Sequence, residues 1–532
     1  MTQEAAELAT TPTPPGPGGS DHRTIVGQTG QNVLGLGIGA VATFVAQVIM
    51  TNRLGDELYG VVTVTTQFAF IAAAATRFGM DVANVRLVAI LVGRGEAVRA
   101  RGLVRRSTAI AAAVSIPFGV VVVLAAPWLA ARFAGSDEAL TTAFRAAGVT
   151  IPLAALAFTA MGATRGLKVM RPTLLAQWIG QPLGWIAFTL AIWAVIGATA
   201  GGAAYAFTAS WGLALAIAWY GWVRRSHRLR DEAAGQGIPE EHPRALLRFG
   251  ALRAPGTLFS QLLFWTDFFV LSLLWSDQGP AGGSATGQYS AVLRAAQSLF
   301  LFLTSVSLTF SPFVADLHHR GERERLDQLY RSVTRWTLTA TIPVLLVLAI
   351  LPGPVLRIFG SEFVAGQDAL RIVIVGMIVP VMVGTVGFIL IMAGRTGWDL
   401  LVYVGGFGID VGVALLLAGP ADLGVRGAAI AQALTLSFSA VARLYLVRRF
   451  LGIWPFDGAY LRLLVPTGAG AVAMWLLAAA VPDARWGVEL VVAGLGGATV
   501  YGAFALALGI TREERASLRR LAGRLAGRGG TR

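Results

Sequence analysis

The sequence contains no cysteine in 532 residues, so disulfide bonds are excluded. It has only five histidines, all in the N-terminal segment or in polar stretches between apolar runs. This placement excludes membrane hydrolases and acyltransferases that need a histidine base within the bilayer. The adjacent pair His318 and His319 has no further ligand beside it, so no metal site is expected. We therefore expect a protein without enzymatic activity, cofactor or metal.

Charged residues are also scarce, and long apolar runs are common. Charged residues form 14% of the chain, and the mean hydropathy of +0.65 excludes a soluble globular protein. Fourteen apolar stretches are each long enough to cross hydrocarbon, which takes about 20 residues. They lie near residues 30–50, 60–91, 104–126, 142–164, 173–197, 202–223, 250–275, 289–315, 334–351, 369–393, 398–418, 427–447, 460–481 and 487–509. The sequence predicts an all-α polytopic membrane protein with fourteen transmembrane helices.

Basic residues are strongly biased toward one set of the segments that join these spans. Counted from a cytoplasmic N-terminus, 33 of the 43 lysines and arginines fall on the inner side and 7 on the outer side. The other three, Arg77, Arg86 and Arg294, lie inside spans. Because basic loops stay in the cytoplasm, we expect a cell-membrane protein with both termini cytoplasmic. The net charge of +14 is divided among eight short segments, so we expect contact with membrane lipids and none with nucleic acid.

The chain contains an internal duplication. The segment from Tyr59 to Phe70 aligns with the segment from Tyr289 to Phe300 at an offset of 230 residues. Spans 1–6 and 7–12 would then form two related six-helix lobes of the same orientation, a parallel repeat. We expect a disordered cytoplasmic tail at 1–23, an N-lobe at 24–225, a cytoplasmic linker at 226–247, a C-lobe at 248–450, two extra helices at 451–510 and a basic cytoplasmic tail at 511–532.

Polar residues inside the spans are the candidate functional residues. Six of them share one face of span 2, namely Tyr59, Thr63, Thr66, Arg77, Asp81 and Asn84. Arg77 and Asp81 are four residues apart and can neutralise each other, so the pair either braces the lobe or lines a cavity. The amides of Gln31 and Asn32 in span 1 are suited to polar cargo, although close helix packing is an equally good interpretation.

The second lobe carries its own intramembrane charges. Asp267 lies in span 7 and Arg294 in span 8, the latter near Gln297, and a pair between them across the hairpin would mirror Arg77–Asp81 only loosely. Asp410 lies in the middle of span 11 with no basic residue within a turn, which favours its neutral form. Asp81, Asp267 and Asp410 are the candidates for coupling to an ion.

Several motifs occur in a fixed order between residues 24 and 450. They are Arg53–Gly60 and Phe78–Arg86 in the first lobe, and Asp267, Gly287–Tyr289, Phe359–Phe363 and Gly424–Ala431 in the second. With these motifs, the duplication and fourteen spans, the chain resembles the oligosaccharide (polysaccharide-biosynthesis) flippases of the multidrug/oligosaccharidyl-lipid/polysaccharide exporter superfamily.

The resemblance implies a V-shaped, two-lobed transporter that moves a polyprenyl-pyrophosphate-linked glycan from the inner to the outer leaflet for surface polysaccharide synthesis. Lining its cavity we expect Arg77, Arg294, Gln31, Asn32, Thr66 and Gln297. A glycan polymerase or glycosyltransferase would be its protein partner. Span 1 has no arginine after Arg23, unlike the lipid II flippases of the superfamily, which disfavours a peptidoglycan precursor as substrate.

Two other functions stay open. The carboxylates Asp81, Asp267 and Asp410 also suit a cation-coupled multidrug exporter of the same superfamily. A scaffold that holds a glycan-assembly complex without transporting anything would have no use for arginines inside its spans.

Overall fold

The computed structural model describes residues 19–227, 243–419, 421, 423–458, 460–481 and 485–509. Side chains are described within these ranges from residue 37 onward, apart from 243–253 and several positions between 301 and 319. All regular secondary structure of the described residues is helical, as the lack of water in hydrocarbon requires. Helices α1 to α17 are, in chain order, Gly19–Thr76, Met80–Gly93, Ala97–Leu124, Ala126–Ala130, Asp137–Gly166, Arg171–Ile196, Ala200–Ser226, Pro243–Leu274, Pro280–His319, Arg323–Ile350, Pro352–Arg357, Gln367–Val383, Val386–Met392, Thr396–Ala418, Gly424–Leu451, Leu464–Ala479 and Trp486–Phe504.

The prediction of an all-α polytopic membrane protein is confirmed. Twelve helical segments of the described chain are long and apolar enough to cross a membrane. Helix α1 contains two successive spans, because the backbone of Gly55 (φ 73°, ψ −178°) breaks it. Helix α9 has 40 residues, which is ample length for a further span. Division of α1 and inclusion of α9 give the fourteen spans that the sequence predicts.

Helices in each half of the chain pack mainly with one another. In the first half, α5 lies centrally against α1, α2, α3 and α7. In the second half, α15 packs on α12 and α14, while α8 packs on α14. Helices α16 and α17 pair with each other and rest against α10, where the Tyr501 hydroxyl donates to the carbonyl of Thr339 (2.9 Å). This agrees with two six-span groups and an added pair. The domain boundaries stay predictions, and the tails at 1–18 and 510–532 and the linker residues 228–242 lie outside the described residues.

Two spans predicted as continuous helices are interrupted, which corrects the sequence interpretation. The span at 60–91 breaks between α1 and α2, where Phe78 (φ 51°) and Gly79 (φ 68°) adopt left-handed backbone. The span at 369–393 breaks between α12 and α13 at Gly384 (φ 68°). Glycine permits this conformation, and the Tyr330 hydroxyl satisfies the Val383 carbonyl beside the second break (2.9 Å). Broken helices bring polar backbone and side chains together at membrane depth.

The two halves are joined at the end of the bundle that carries the Gly55 kink, called here the Gly55 end. Gly60 of α1 packs so closely on α9 that a Cβ atom there would lie 2.6 Å from the Gly283 carbonyl oxygen and 2.9 Å from the Gly287 nitrogen. The carboxylate of Asp56 accepts hydrogen bonds from Ser284 Oγ (3.0 Å) and Gln288 Nε2 (2.9 Å). This end is therefore closed in the structure.

Candidate functional site

Three groups of buried polar residues lie within the bundle. The Arg77 group contains Arg77 and Asp81 at the break between α1 and α2. The Arg294 group contains Arg294 and Gln297 of α9 with Tyr59 of α1. The two-carboxylate group is formed by Asp267 and Asp410, which come from α8 and α14.

The Arg77 group forms an ion pair beside an aromatic ring. Arg77 Nε lies 3.3 Å from Asp81 Oδ2, and the two side chains are only 9% and 10% exposed. The guanidinium also stacks on Phe158, with its Cζ atom 4.5 Å from the ring centroid. Its Nη1 atom is buried without a hydrogen-bond partner. The predicted pairing of Arg77 with Asp81 is present, but the broken helix ends the polar stripe predicted along span 2.

The Arg294 group lies where the two halves meet. The Arg294 guanidinium stacks on Trp265 (4.8 Å to the ring centroid), and its Nη1 donates to Gln297 Oε1 (3.2 Å). The phenol of Tyr59, a residue of the first half, lies next to this guanidinium. Arg294 Nε is buried and has no hydrogen-bond partner. The pair of Arg294 with Asp267 that the hairpin suggests is absent among the described residues, because Asp267 contacts Tyr289 and Asp410 instead.

Asp267 and Asp410 instead form a buried pair of carboxylates. The Asp267 backbone N–H donates to Asp410 Oδ2 (3.2 Å), and the Tyr289 hydroxyl donates to Asp267 Oδ2. All three side chains are fully buried. The second oxygen of each carboxylate, Oδ1, has no hydrogen-bond partner. The sequence shows only that Asp410 has no basic residue within a turn, and the fold places another carboxylate against it.

Sequence reasoning missed the polar face of α15 beside this pair. Gln432, Thr435 and Ser439 follow one another at helical spacing and are at most 2% exposed. Their side-chain polar atoms lack hydrogen-bond partners among the described residues. The spacing of three and four residues between polar residues of an apolar span is the sequence signal by which this face could have been found.

The duplication is visible in the hydrogen bonds of two equivalent tyrosines. Tyr59 and Tyr289 are 230 positions apart, and each donates its hydroxyl to a polar residue of the preceding span. Tyr59 donates to Gln47 Oε1 (2.7 Å), whereas Tyr289 donates to Asp267. The same local geometry thus positions an amide in the first half and a carboxylate in the second.

The structure does not join every predicted site residue to these groups. The side chains of Gln31 and Asn32 lie outside the described residues. Thr66 is buried and its hydroxyl donates to the Val62 carbonyl of its own helix (2.6 Å), and it makes no hydrogen bond to Arg77 or Arg294 among the described residues. No group of three or more metal-ligating side chains occurs in the part of the chain that the structure describes.

Two family models match the chain. The family described as polysaccharide biosynthesis protein matches residues 27–318, and the MatE family matches residues 257–416. The first match contains Arg77, Asp81 and Arg294, and the second contains both Asp267 and Asp410. No curated protein sequence matches the chain.

Solved transporter structures share this fold. A multidrug-resistance transporter of the MATE family, in the MOP superfamily and facing inward, matches with a TM-score of 0.64 at 17% identity, covering 78% of this chain and 94% of that one. The lipid II flippase MurJ, in an inward closed conformation, matches with a TM-score of 0.63 at 13% identity, covering 88% and 97%. A MOP-superfamily transporter from Pyrococcus furiosus matches with a TM-score of 0.55 at 17% identity, covering 80% and 95%. At these identities the likeness shows the fold alone.

Proposed function

Because the chain belongs to the family of polysaccharide biosynthesis proteins, we propose that it is a flippase for a polyprenyl-pyrophosphate-linked oligosaccharide. The substrate moves from the inner to the outer leaflet of the cell membrane, where it is used for surface polysaccharide. The two halves rock against each other, so that the cavity between them opens alternately to each side. The closed Gly55 end faces outward, and both termini face the cytoplasm.

The observation that carries this proposal is Arg294, a buried cation between the two halves. A charge at the centre of a membrane helix costs about 2.5–3.5 kcal/mol on insertion scales, so its retention argues for an anionic partner. The Nε atom has no hydrogen-bond partner, and no carboxylate neutralises the guanidinium among the described residues. A pyrophosphate supplies both the charge and the acceptor oxygens that a guanidinium binds. Arg77, which has an unpartnered Nη1, is a second candidate contact.

Loss of the protein should trap its substrate on the cytoplasmic side. In cells that lack the protein, we expect polyprenyl-linked glycan to accumulate in the inner leaflet and surface glycan to fall, because the charged head cannot cross hydrocarbon unaided. Mass spectrometry of lipid extracts measures the accumulated lipid-linked glycan, and periodate applied to intact cells reports the glycan at the surface. Unchanged surface glycan combined with higher sensitivity to cationic dyes would contradict the flippase and favour the multidrug exporter.

The two-carboxylate group is suited to coupling transport to a cation. Two unpartnered carboxylate oxygens and the Thr435 hydroxyl are hard oxygen donors of the kind that small cations prefer. Asp81 is a weaker candidate for this role, since its carboxylate is paired with Arg77. A cation bound here would enter as a co-transported ion. The membrane potential alone would contribute about 2.3 kcal/mol per negative charge moved outward per 100 mV.

The substitution Asp410→Asn tests this coupling. It keeps the shape of the side chain and removes its ability to gain or lose a proton, so transport should lose its dependence on a proton or sodium gradient while expression is retained. The measurement is the movement of a fluorescent lipid-linked glycan between the leaflets of proteoliposomes, with and without an imposed gradient. Asp368→Asn, which alters an exposed carboxylate, is the matched control. Wild-type gradient dependence in Asp410→Asn would remove this residue from the mechanism.

A further inference from the structure

A cavity that none of the three polar groups above lines lies within the second half of the bundle. It has a volume of about 340 Å³ and is lined by residues of α8, α9, α12, α13, α14 and α15. Most of its wall is apolar, including Leu263, Phe264, Phe300 and Ile391. Arg443 is the one charged residue among the described residues that line it, and we call it the Arg443 cavity. Its size is within the range of small-molecule sites.

Arg443 is held in place but keeps part of its hydrogen-bonding capacity. Its Nε donates to Asp399 Oδ1 (2.7 Å), and its Cζ atom lies 4.4 Å from the centroid of the Tyr403 ring. One edge and one face of the guanidinium are therefore fixed. Nη2 is buried without a hydrogen-bond partner, although the side chain as a whole is 12% exposed. A guanidinium has five N–H donors in a fork that matches oxyanions, and the contact with Asp399 uses only the Nε edge.

Two hydroxyl groups add to this donor capacity. Ser439 and Thr385 line the same cavity, are 2% exposed, and have Oγ atoms without hydrogen-bond partners. Thr385 reaches this position because α12 ends at Val383 and the backbone breaks at Gly384. Buried polar atoms are normally satisfied, so three unsatisfied donors around one cavity indicate a missing acceptor. The apolar wall indicates that the acceptor is attached to an apolar body.

We propose that the Arg443 cavity binds the anionic head of an amphipathic molecule, a phosphate or diphosphate ester on an apolar chain. Arg443, Ser439 and Thr385 contact the head, and the apolar wall takes the first part of the chain. Asp399 holds the guanidinium in position and competes with the head for it. The ligand is either a lipid of the kind proposed as substrate or an anionic lipid of the bulk membrane. The inference does not depend on the proposed function, because the site is defined without Arg77, Arg294 or the two-carboxylate group.

The test is binding to the purified full-length protein in uncharged detergent. The probes are farnesyl diphosphate and dioctanoyl phosphatidic acid, with farnesol and dioctanoylglycerol as their uncharged counterparts. We expect the charged probes to raise the melting temperature and the uncharged ones to have no comparable effect. Arg443→Gln should weaken Kd for the charged probes at least tenfold. Arg448→Gln, on the same helix but stacked on Trp454 and not lining the cavity, should stay within twofold of wild type.

Asp399 distinguishes ligand binding from a purely structural ion pair. Asp399→Asn should tighten Kd at least threefold, because the competing carboxylate is gone. The double variant Asp399→Asn with Arg443→Gln removes the pair without a stranded charge, and it should again bind at least tenfold more weakly. Weakening by Asp399→Asn, or equal binding of the uncharged probes, would overturn the proposal.

A tenfold preference for farnesyl diphosphate identifies the transported kind of lipid as ligand, and equal or stronger binding of phosphatidic acid identifies a bulk membrane lipid. No transport is measured, so a failure of the proposed flippase function leaves this result unaffected.

Discussion

Gly287→Val is expected to lower transport at least tenfold, because the Gly55 end will no longer close. A Cβ atom at position 287 would lie 2.7 Å from the carbonyl carbon of Asp56 and 3.2 Å from its Cα atom. Such overpacking costs about 1–3 kcal/mol when a core must adjust, and here it acts only on the closed state. A shift of about 1.4 kcal/mol changes a two-state population ratio roughly tenfold. The measurement is glycan transport in proteoliposomes at matched protein levels.

Gly468→Val is the matched control for this prediction. Gly468 lies in membrane helix α16, and a Cβ atom there meets nothing within 4 Å. We expect transport by this variant within twofold of wild type. If Gly287→Val also transports normally, the glycine contact is not part of the transport cycle.

The opposite perturbation is to lock the Gly55 end in its closed state with a disulfide. It is possible because the chain has no native cysteine. Asp56 Oδ1 and Ser284 Oγ are 3.0 Å apart, so the pair Asp56→Cys with Ser284→Cys places two thiols across the closed end. Oxidation should arrest transport and reduction should restore it. Undiminished transport by the cross-linked protein would mean that this end does not open.

Arg294→Gln is expected to lower transport of the lipid-linked glycan roughly 10- to 100-fold. Hydrogen bonds to charged groups contribute about 1.5–3 kcal/mol, and glutamine offers a pyrophosphate neither the charge nor the paired donors. Transport by Arg294→Lys should lie between that of wild type and that of Arg294→Gln, since lysine keeps the charge but loses the planar stacking on Trp265. Transport assays with the three proteins in proteoliposomes give the order directly.

Arg426→Gln controls for the removal of a positive charge as such. The side chain of Arg426 is 63% exposed and pairs with Asp368 at the surface, so we expect little change. Full glycan transport by Arg294→Gln would remove Arg294 from the substrate site. Gained efflux of cationic dyes by the same variant would favour the exporter function, because a buried cation repels such cargo.

Sequence patterns predicted the membrane helices well because each span is a local property. Twenty consecutive apolar residues have a favourable place only in hydrocarbon or a buried core, whatever the rest of the chain does. The predicted spans 104–126 and 398–418 illustrate this, since the helices Ala97–Leu124 and Thr396–Ala418 cover most of the same residues. The break at Gly384 was not predicted, because a single glycine inside an apolar run is as compatible with a continuous helix as with a kink.

Candidate site residues were found one by one, but their pairings mostly were not. Arg77 and Asp81 are four residues apart, so their contact follows from local helix geometry. Asp267 and Asp410 are 143 positions apart, and no spacing rule connects them. The hairpin between their spans suggests a pair of Arg294 with Asp267, yet in the fold Arg294 lies next to Tyr59 of the other half.

The sequence by itself determined that this is a multi-span, all-helical membrane protein with a repeated half, because hydropathy, the distribution of basic residues and the repeat are properties of the linear sequence. Only the tertiary structure decided which buried polar groups meet. Side-chain contacts between helices depend on rotation and crossing of whole helices about their axes, which the breaks at Gly55, Gly79 and Gly384 alter. For that reason Asp410 lies against Asp267, and Arg443 borders a cavity that no run of residues in the chain describes.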